Sequence, residues 1–430
     1  MQIERDKYLN KLIIRRNNGL IKIITGIRRS GKSYLLNNLF YEYLKKDGVD
    51  DSHIIKFSFD SSMDLGLIGE DVIEINSAKK KVNPQKFMNY IKTRIIDDKK
   101  YYLLLDEVQE LEAFERVLNS YLRESNIDIY VTGSNSKFLS SDIITEFAGR
   151  GDEIHVLPLS FSEFISCYNG SIDEALDNYF VYGGLPAVAL MKNEEQKVQY
   201  LNTQIYSVYL KDIIQRYKLK NQDSISELME VLASGIATFV NPLKLSNTFR
   251  SIKKEDISYT TISNYIKYME EAFIIKTAKR YDVKGKKYIS TPYKIYFEDV
   301  GLRNAKLNFR QIEDTHLMEN IIFNELRYRD YNVDVGVVEH RTTLNGKTER
   351  KYFEVDFVAN LGREKYYIQS AYDIPDVTKL KQETKSFDLI SDSFKKIIIV
   401  NKTIKPRTTE NGYSIICLKD FLLNPNSLDL

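Results

Sequence analysis

Residues 21–33 read IKIITGIRRSGKS, a short apolar run followed by Gly26, four variable residues, Gly31, Lys32 and Ser33. An apolar run of five is a strand buried on both faces, and the pattern from residue 32 to 46 is helical. The chain must therefore pass from strand to helix through a loop with glycines at both ends. Glycine lets such a loop wrap closely around an anion, toward which backbone N–H groups and a helix N-terminus are directed. Spacing and context match the phosphate-binding loop G-x-x-x-x-G-K-[ST]. Lys32 is expected to reach the β- and γ-phosphates of ATP, Ser33 to ligate Mg²⁺, and Gly26, Gly31 and Tyr34 to complete the nucleotide contacts.

Further strand-like runs occur at 53–59, 101–105, 127–133 and 153–159, separated by helical patterns such as 113–125. That alternation predicts a parallel α/β sheet. The run YYLLL ends in Asp106 and Glu107, two carboxylates at a strand's C-terminal edge, where open α/β sheets bind ligands. Asp106 is expected to hold Mg²⁺ and Glu107 to orient the attacking water. YVTGSN ends another strand with Ser134 and Asn135; Asn135 is the stronger candidate for sensing the γ-phosphate, and turn or cap chemistry is the alternative.

Composition narrows the function classes. The 430 residues carry 62 basic and 60 acidic side chains, a formal net charge of +2, which argues against a generally basic nucleic-acid coat but not against a local basic patch. Cys167 and Cys417 are far apart and fit reduced thiols; His53, His155, His316 and His340 lack metal-ligand spacing. No apolar run reaches the roughly 18 residues of a membrane span, and the N-terminus has no apolar signal core. A soluble cytoplasmic protein with no membrane contact is expected.

Residues 225–305 hold a helix–helix–helix–hairpin pattern. In the third helix Ile262, Tyr265, Ile266, Met269 and Phe273 form an apolar face, opposite Thr260, Thr261, Ser263, Asn264 and Lys267. The hairpin that follows turns at VKGKK, with Lys284, Lys286 and Lys287. This is the layout of a winged helix, in which Thr260, Asn264, Lys267 and the three wing lysines would meet DNA; such modules also serve as protein contacts.

The ordered segments TGIRRSGKS, LLDEVQ, VTGSNSKFLSSDI, FAGR, LPLSFSEF and YGGLP together resemble a prokaryotic family of AAA+-like ATP-binding proteins with a C-terminal domain of unknown function. The resemblance implies an ATPase core over 1–165, a helical connector over 166–224, a winged helix over 225–305 and a further α+β domain over 306–430. It also makes Arg150, in FAGR, a candidate arginine finger, with a structural ion pair as the alternative. Arg28 and Arg29 are either solvent-facing charge or an extra cation near the phosphates or at a subunit contact. The last domain resembles the PD-(D/E)XK nuclease fold: Glu319 matches the helix acid and Asp356 the strand acid. Gln369 and Ala371 stand where an acid and a lysine belong, so hydrolysis of nucleic acid is not expected. ATP is the implied ligand; DNA, an unidentified protein partner and self-association are the implied contacts.

Overall fold

The structure, a computed structural model, describes residues 3–71, 80–133, 147, 149–253, 257–344 and 347–429. It divides into two compact units that meet between Leu157 and Pro158.

The first unit carries α1 (Asp6–Ile14), β1 (Ile21–Thr25), α2 (residues 32–46, π-helical over Leu35–Phe40), β2 (Ile54–Ser58), α3 (Ser62–Leu67), α4 (Pro84–Arg94), β3 (Tyr101–Asp106), α5 (Phe114–Tyr121), β4 (Ile127–Thr132) and β5 (Gly151–His155). All five strands are parallel, in the order β2-β3-β4-β1-β5. The strands form where the apolar runs lie because both faces are covered: every residue of β1, β3 and β4 is buried. Phe57 packs on Phe59 and Phe87 at ring-centroid distances of 4.9 and 5.2 Å, each ring contributing roughly 1.5–3 kcal/mol of burial. The charges inside β1 and β4 answer one another. Lys22 is fully buried, its ammonium donates to Asp128, and Asp128 also accepts from the Tyr130 hydroxyl at 2.8 Å.

The second unit begins with α6 (Phe161–Ser166), α7 (Ile172–Tyr182), α8 (Pro186–Ala189) and α9 (residues 194–217, π-helical over Gln204–Leu210). Then come α10 (Gln222–Ser234), β6 (Phe239–Val240), α11 (Pro242–Lys253), α12 (Tyr259–Glu271), β7 (Ile275–Asp282), β8 (Lys287–Phe297), α13 (Val300–Lys306) and α14 (Asp314–Tyr328). The chain finishes with β9 (Asn332–Leu344), β10 (Lys347–Leu361), β11 (Glu364–Ala371), α15 (Val377–Asp388), β12 (Lys395–Val400), β13 (Arg407–Thr408), β14 (Ser414–Cys417) and α16 (Leu418–Leu423). One mixed sheet runs β13-β14-β12-β11-β10-β9-β7-β8-β6. The parallel pairing of β7 with β9, from Arg280 opposite Val335 to Asp282 opposite Val337, joins the hairpin region to the last third of the chain. Residues 225–305 and 306–430 thus share a sheet.

The glycines of YGGLP follow from a close approach inside this unit. The Asp299 carboxylate accepts from Gly184 N–H at 2.8 Å and from Leu302 N–H at 3.0 Å, where it also caps α13. A Cβ on Gly184 would lie 2.4 Å from the Leu159 carbonyl oxygen. Burial pushes Asp299 up to about 6, although the N–H groups of Gly184, Leu302, Gly301 and Leu185 pull the other way.

Candidate functional site

The loop between β1 and α2 leaves the C-terminal edge of the parallel sheet. Gly26 has φ 133°, and a Cβ there would lie 2.2 Å from the Val156 carbonyl oxygen, so no other residue fits. Gly31 has φ 94°, and Arg29 also takes a left-handed conformation, at φ 65°. Arg29 is exposed and Arg28 half-buried. Lys32 is buried, its ammonium donating to the carbonyls of Gly26 at 3.0 Å and Ile27 at 2.9 Å. Tyr34 is exposed on the first turn of the helix.

Asp106 ends β3 beneath this loop and is 6 % exposed. It accepts from the Ser33 hydroxyl at 3.0 Å, the Asn37 amide at 3.4 Å and the Thr132 hydroxyl. Burial raises its pKa, helped by the charges of Glu107 and Asp60 and opposed by the Thr132 and Ser33 hydrogen bonds. Among the described residues its hydrogen-bond partners are all neutral, so a desolvated carboxylate stands beside a hydroxyl with no cation. That hard-oxygen donor set fits Mg²⁺. Glu107 follows in a left-handed conformation, φ 52°; its N–H donates to the Thr132 hydroxyl at 3.3 Å, and its carboxylate accepts from the Gln109 amide.

Four participants escape sequence reading. Thr132 closes β4, the strand next to β3. Asn37 lies in the π-helical part of α2, which re-aims side chains relative to an α-helix. Gln109 sits two residues beyond Glu107. Arg5, just before α1, is buried; its guanidinium donates to Ser30 O at 3.2 Å and Leu157 O at 2.7 Å, tying the loop to the end of β5. An arginine bonding two carbonyls so far apart in sequence leaves no local signal, whereas a threonine ending a buried strand does.

Ser134 and Asn135 lie outside the described residues. Arg150 is exposed, and its carbonyl accepts from Ile21 N–H at 2.9 Å, while Gly151 pairs with Ile21 and His155 with Thr25. Arg150 therefore sits at the start of β1 and the loop at its end, roughly 16 Å apart at about 3.3 Å per residue. That exceeds the length of an arginine side chain, so Arg150 does not join the nucleotide loop of its own chain.

In the second unit, Ile262, Tyr265, Ile266 and Met269 are buried, while Thr260, Asn264 and Lys267 are exposed. Lys267 lies 3.5 Å from Glu271. Lys284, Lys286 and Lys287 are exposed at the β7–β8 turn, and Lys284 donates to Glu339 O at 3.0 Å. Glu319 and Asp356 do converge, but on a residue the sequence did not single out: the ammonium of Lys294 on β8. Gln369 donates to Asp356 at 2.8 Å, and Ala371 is buried. Burial and the neighbouring Glu319 hold Asp356 well above the carboxylate range, with Lys294 opposing. Burial alone would lower Lys294, but Glu319, Asp356 and Glu354 outweigh it and raise it.

Among the described residues no helix is long and apolar enough to cross a membrane. A family model described as an AAA domain matches residues 18–165, and one for a domain of unknown function, DUF8612, matches residues 173–313. An uncharacterized protein of Haemophilus influenzae is 34% identical over 427 residues, spanning 98% of this chain and 98% of its own. An uncharacterized protein of Methanocaldococcus jannaschii is 28% identical over 417 residues, spanning 93% of this chain and 85% of its own. A Walker-type ATPase of Pyrococcus abyssi is similar in structure at TM-score 0.49 and 14% identity, over 71% of this chain and 96% of that one. With its phosphate-binding loop, its parallel sheet and near-complete coverage of the Haemophilus influenzae relative, the chain carries an AAA+-like ATPase domain and belongs to the same family as that relative.

Proposed function

We propose that the first unit binds ATP with Mg²⁺ and hydrolyses it, and that the nucleotide state sets the conformation of the second unit. The observation that carries this reading is the Ser33 hydroxyl 3.0 Å from Asp106 at the C-terminal edge of a parallel sheet. Backbone N–H groups between Gly26 and Ser33 cradle the phosphates, with Tyr34 at the edge of the nucleotide. Lys32 exchanges the carbonyls of Gly26 and Ile27 for phosphate oxygens. Ser33 and Asp106 hold Mg²⁺, which when bound neutralises charge on the β- and γ-phosphates. Glu107 orients the attacking water as base, and Asn135 reports the γ-phosphate. Arg150 acts only on a neighbouring copy, because its own loop is out of reach.

In the second unit we read residues 225–305 as a winged helix. The succession α10, β6, α11, α12, β7, β8, with β8 paired to both β6 and β7, supports it. Thr260, Asn264, Lys267, Lys284, Lys286 and Lys287 then form a surface for DNA. We read residues 306–430 as a nuclease-like fold kept for binding or assembly. A second reading, a nucleotide-gated protein-interaction switch with little turnover, is favoured by the Gln109 amide engaging Glu107.

The test is ATP turnover with and without DNA, on the full chain and on Lys32→Ala. The proposal expects Lys32→Ala to abolish nucleotide binding, and retained affinity would sink the site. DNA-stimulated turnover that falls with salt and is lost on charge reversal of Lys284, Lys286 and Lys287 supports the DNA reading. Slow turnover with no response to DNA supports the switch.

A further inference from the structure

The nine-stranded sheet forks. On one side β7 pairs with β8 from Ile275 onward, but on the other it meets β9 only over Arg280–Asp282, opposite Val335–Val337. β9 is itself paired with β10 from Asn332. Residues 275–278 and 332–334 are therefore two strand edges, each with a strand on its far side and none toward the other. Lys279, at a register shift, is matched to no residue of either neighbouring strand. A cleft of about 670 Å³ lies in the fork, its walls including Lys276, Thr277 and Lys279 of β7, Asn332, Val333 and Asp334 of β9, and Phe323 and Arg327 of α14.

An unpaired strand edge is a template for another strand. Here the β7 edge is met by a side chain. Thr277 N–H donates to the carboxylate of Glu270, on α12, at 3.2 Å, and the Thr277 hydroxyl donates to it at 3.0 Å. Lys276 pairs with the same carboxylate at 3.0 Å. Glu270, which also lines the cleft, thus puts an oxygen where an added strand would put a carbonyl. Arg327 Nη2 donates to Glu298 Oε1 at 3.0 Å, whereas Nη1 is buried with no hydrogen-bond partner among the described residues. A buried guanidinium donor left unmatched is unfavourable, and a carboxylate is its complement. Asp334, on the opposite wall, is engaged by the Tyr288 hydroxyl at 3.0 Å, and Lys279 is exposed beside it.

We propose that this cleft takes an extended peptide of a partner protein, which adds as a strand to the β7 edge, displaces the Glu270 carboxylate from Thr277 N–H and directs an acidic side chain to Arg327 and Lys279. Main-chain hydrogen bonds to an open edge supply affinity in such strand addition, and the alternate side chains supply specificity. A nucleic-acid strand fits less well. It would leave the edge amide and carbonyl groups unmatched, and its repeated phosphates would face Glu270 and Asp334, whereas a peptide brings one carboxylate to the cations. No residue of the first unit takes part, so the inference stands or falls apart from the nucleotide reading.

The test selects random octapeptides displayed on phage against the full chain, with single-stranded oligodeoxythymidylate as the competing class of ligand. Selected sequences should carry Asp or Glu. As synthetic peptides followed by fluorescence anisotropy, they should lose at least about tenfold in affinity with Lys279→Glu, which sets like charges together. Replacing the peptide's acid by its amide should cost affinity on the unsubstituted chain and little on Arg327→Gln. N-methylation of the peptide backbone leaves the protein untouched, so it separates binding from any fault in folding. It should abolish binding at every second residue and be tolerated between, because a strand directs alternate N–H groups to one neighbour. The proposal is overturned if no selected peptide responds to Lys279→Glu, or if N-methylation is tolerated at every position. It is equally overturned if oligodeoxythymidylate binds, loses binding with Lys279→Glu, and peptides do not bind.

Discussion

Two buried carboxylate sites stand in the two units, and they are balanced in opposite ways. Asp106 is surrounded by the hydroxyls of Ser33 and Thr132 and the Asn37 amide, all neutral. Glu319, Glu354 and Asp356 surround an ammonium. Neutral dipoles leave a carboxylate's charge uncompensated, which is the arrangement the proposed Mg²⁺ would balance. An internal ammonium compensates the charge at every moment, so the second site holds its geometry without one. The comparison teaches that an acidic cluster is identified as functional by what opposes it, not by how many acids it holds.

The comparison breaks first at catalysis. Glu107→Gln should lower ATP turnover by roughly 10²–10⁴-fold with nucleotide affinity nearly unchanged, whereas Asp356→Asn should leave turnover at the unsubstituted rate. Turnover assays beside nucleotide titrations check both, and equal losses from the two substitutions would dissolve the contrast. Next comes stability. Lys294→Met strands three carboxylates and should cost about 3–5 kcal/mol of the second unit's unfolding free energy in urea.

A third test uses pH at Asp299, a buried acid of the second unit that accepts hydrogen bonds from the backbone N–H groups of Gly184 and Leu302. Its folded pKa of about 6 lies above the ordinary 3.8, so its stabilising contribution is complete below about pH 4 and is lost as pH rises through 6. The stability of the unsubstituted chain relative to Asp299→Asn should fall by up to about 3 kcal/mol between about pH 4 and about pH 7, as read by urea unfolding. The smallest effect belongs to Arg150. Arg150→Ala should leave nucleotide affinity within about twofold, and any loss of turnover should be restored by mixing with a chain that keeps Arg150 but carries Lys32→Ala. Loss of affinity in the lone variant would place the arginine at its own loop.

Much of the first unit was legible. The five strands fall within or overlap the apolar runs, because strands buried on both faces carry their signal in consecutive residues. Asp106 and Glu107 were legible for the same reason, as the first charges after such a run. Asn37 and Arg5 were not, since they reach the site through a π-helical turn and a contact between distant segments; Thr132, at the end of a buried apolar run, carried a local signal but was not singled out. In the second unit the helix carrying Ile262, Tyr265, Ile266 and Met269 and the hairpin that turns at VKGKK were legible, from an apolar face and a glycine turn. The pairing of β7 with β9 had no local signature, and Lys294 read as one more basic residue in a strand rich in polar side chains.

The sequence by itself determined where backbone conformation and ligand chemistry are local: the glycine loop, the strand that feeds it, the acids at a strand end. A five-residue spacing of glycines and a run of apolar residues are properties of neighbours in the chain, and physics reads them there. Only the tertiary structure decided which charges meet. It set Arg150 at the opposite edge of the sheet from the loop and Lys294 among three acids. Electrostatic energy depends on distance and burial in space, and neither is a function of position along the chain.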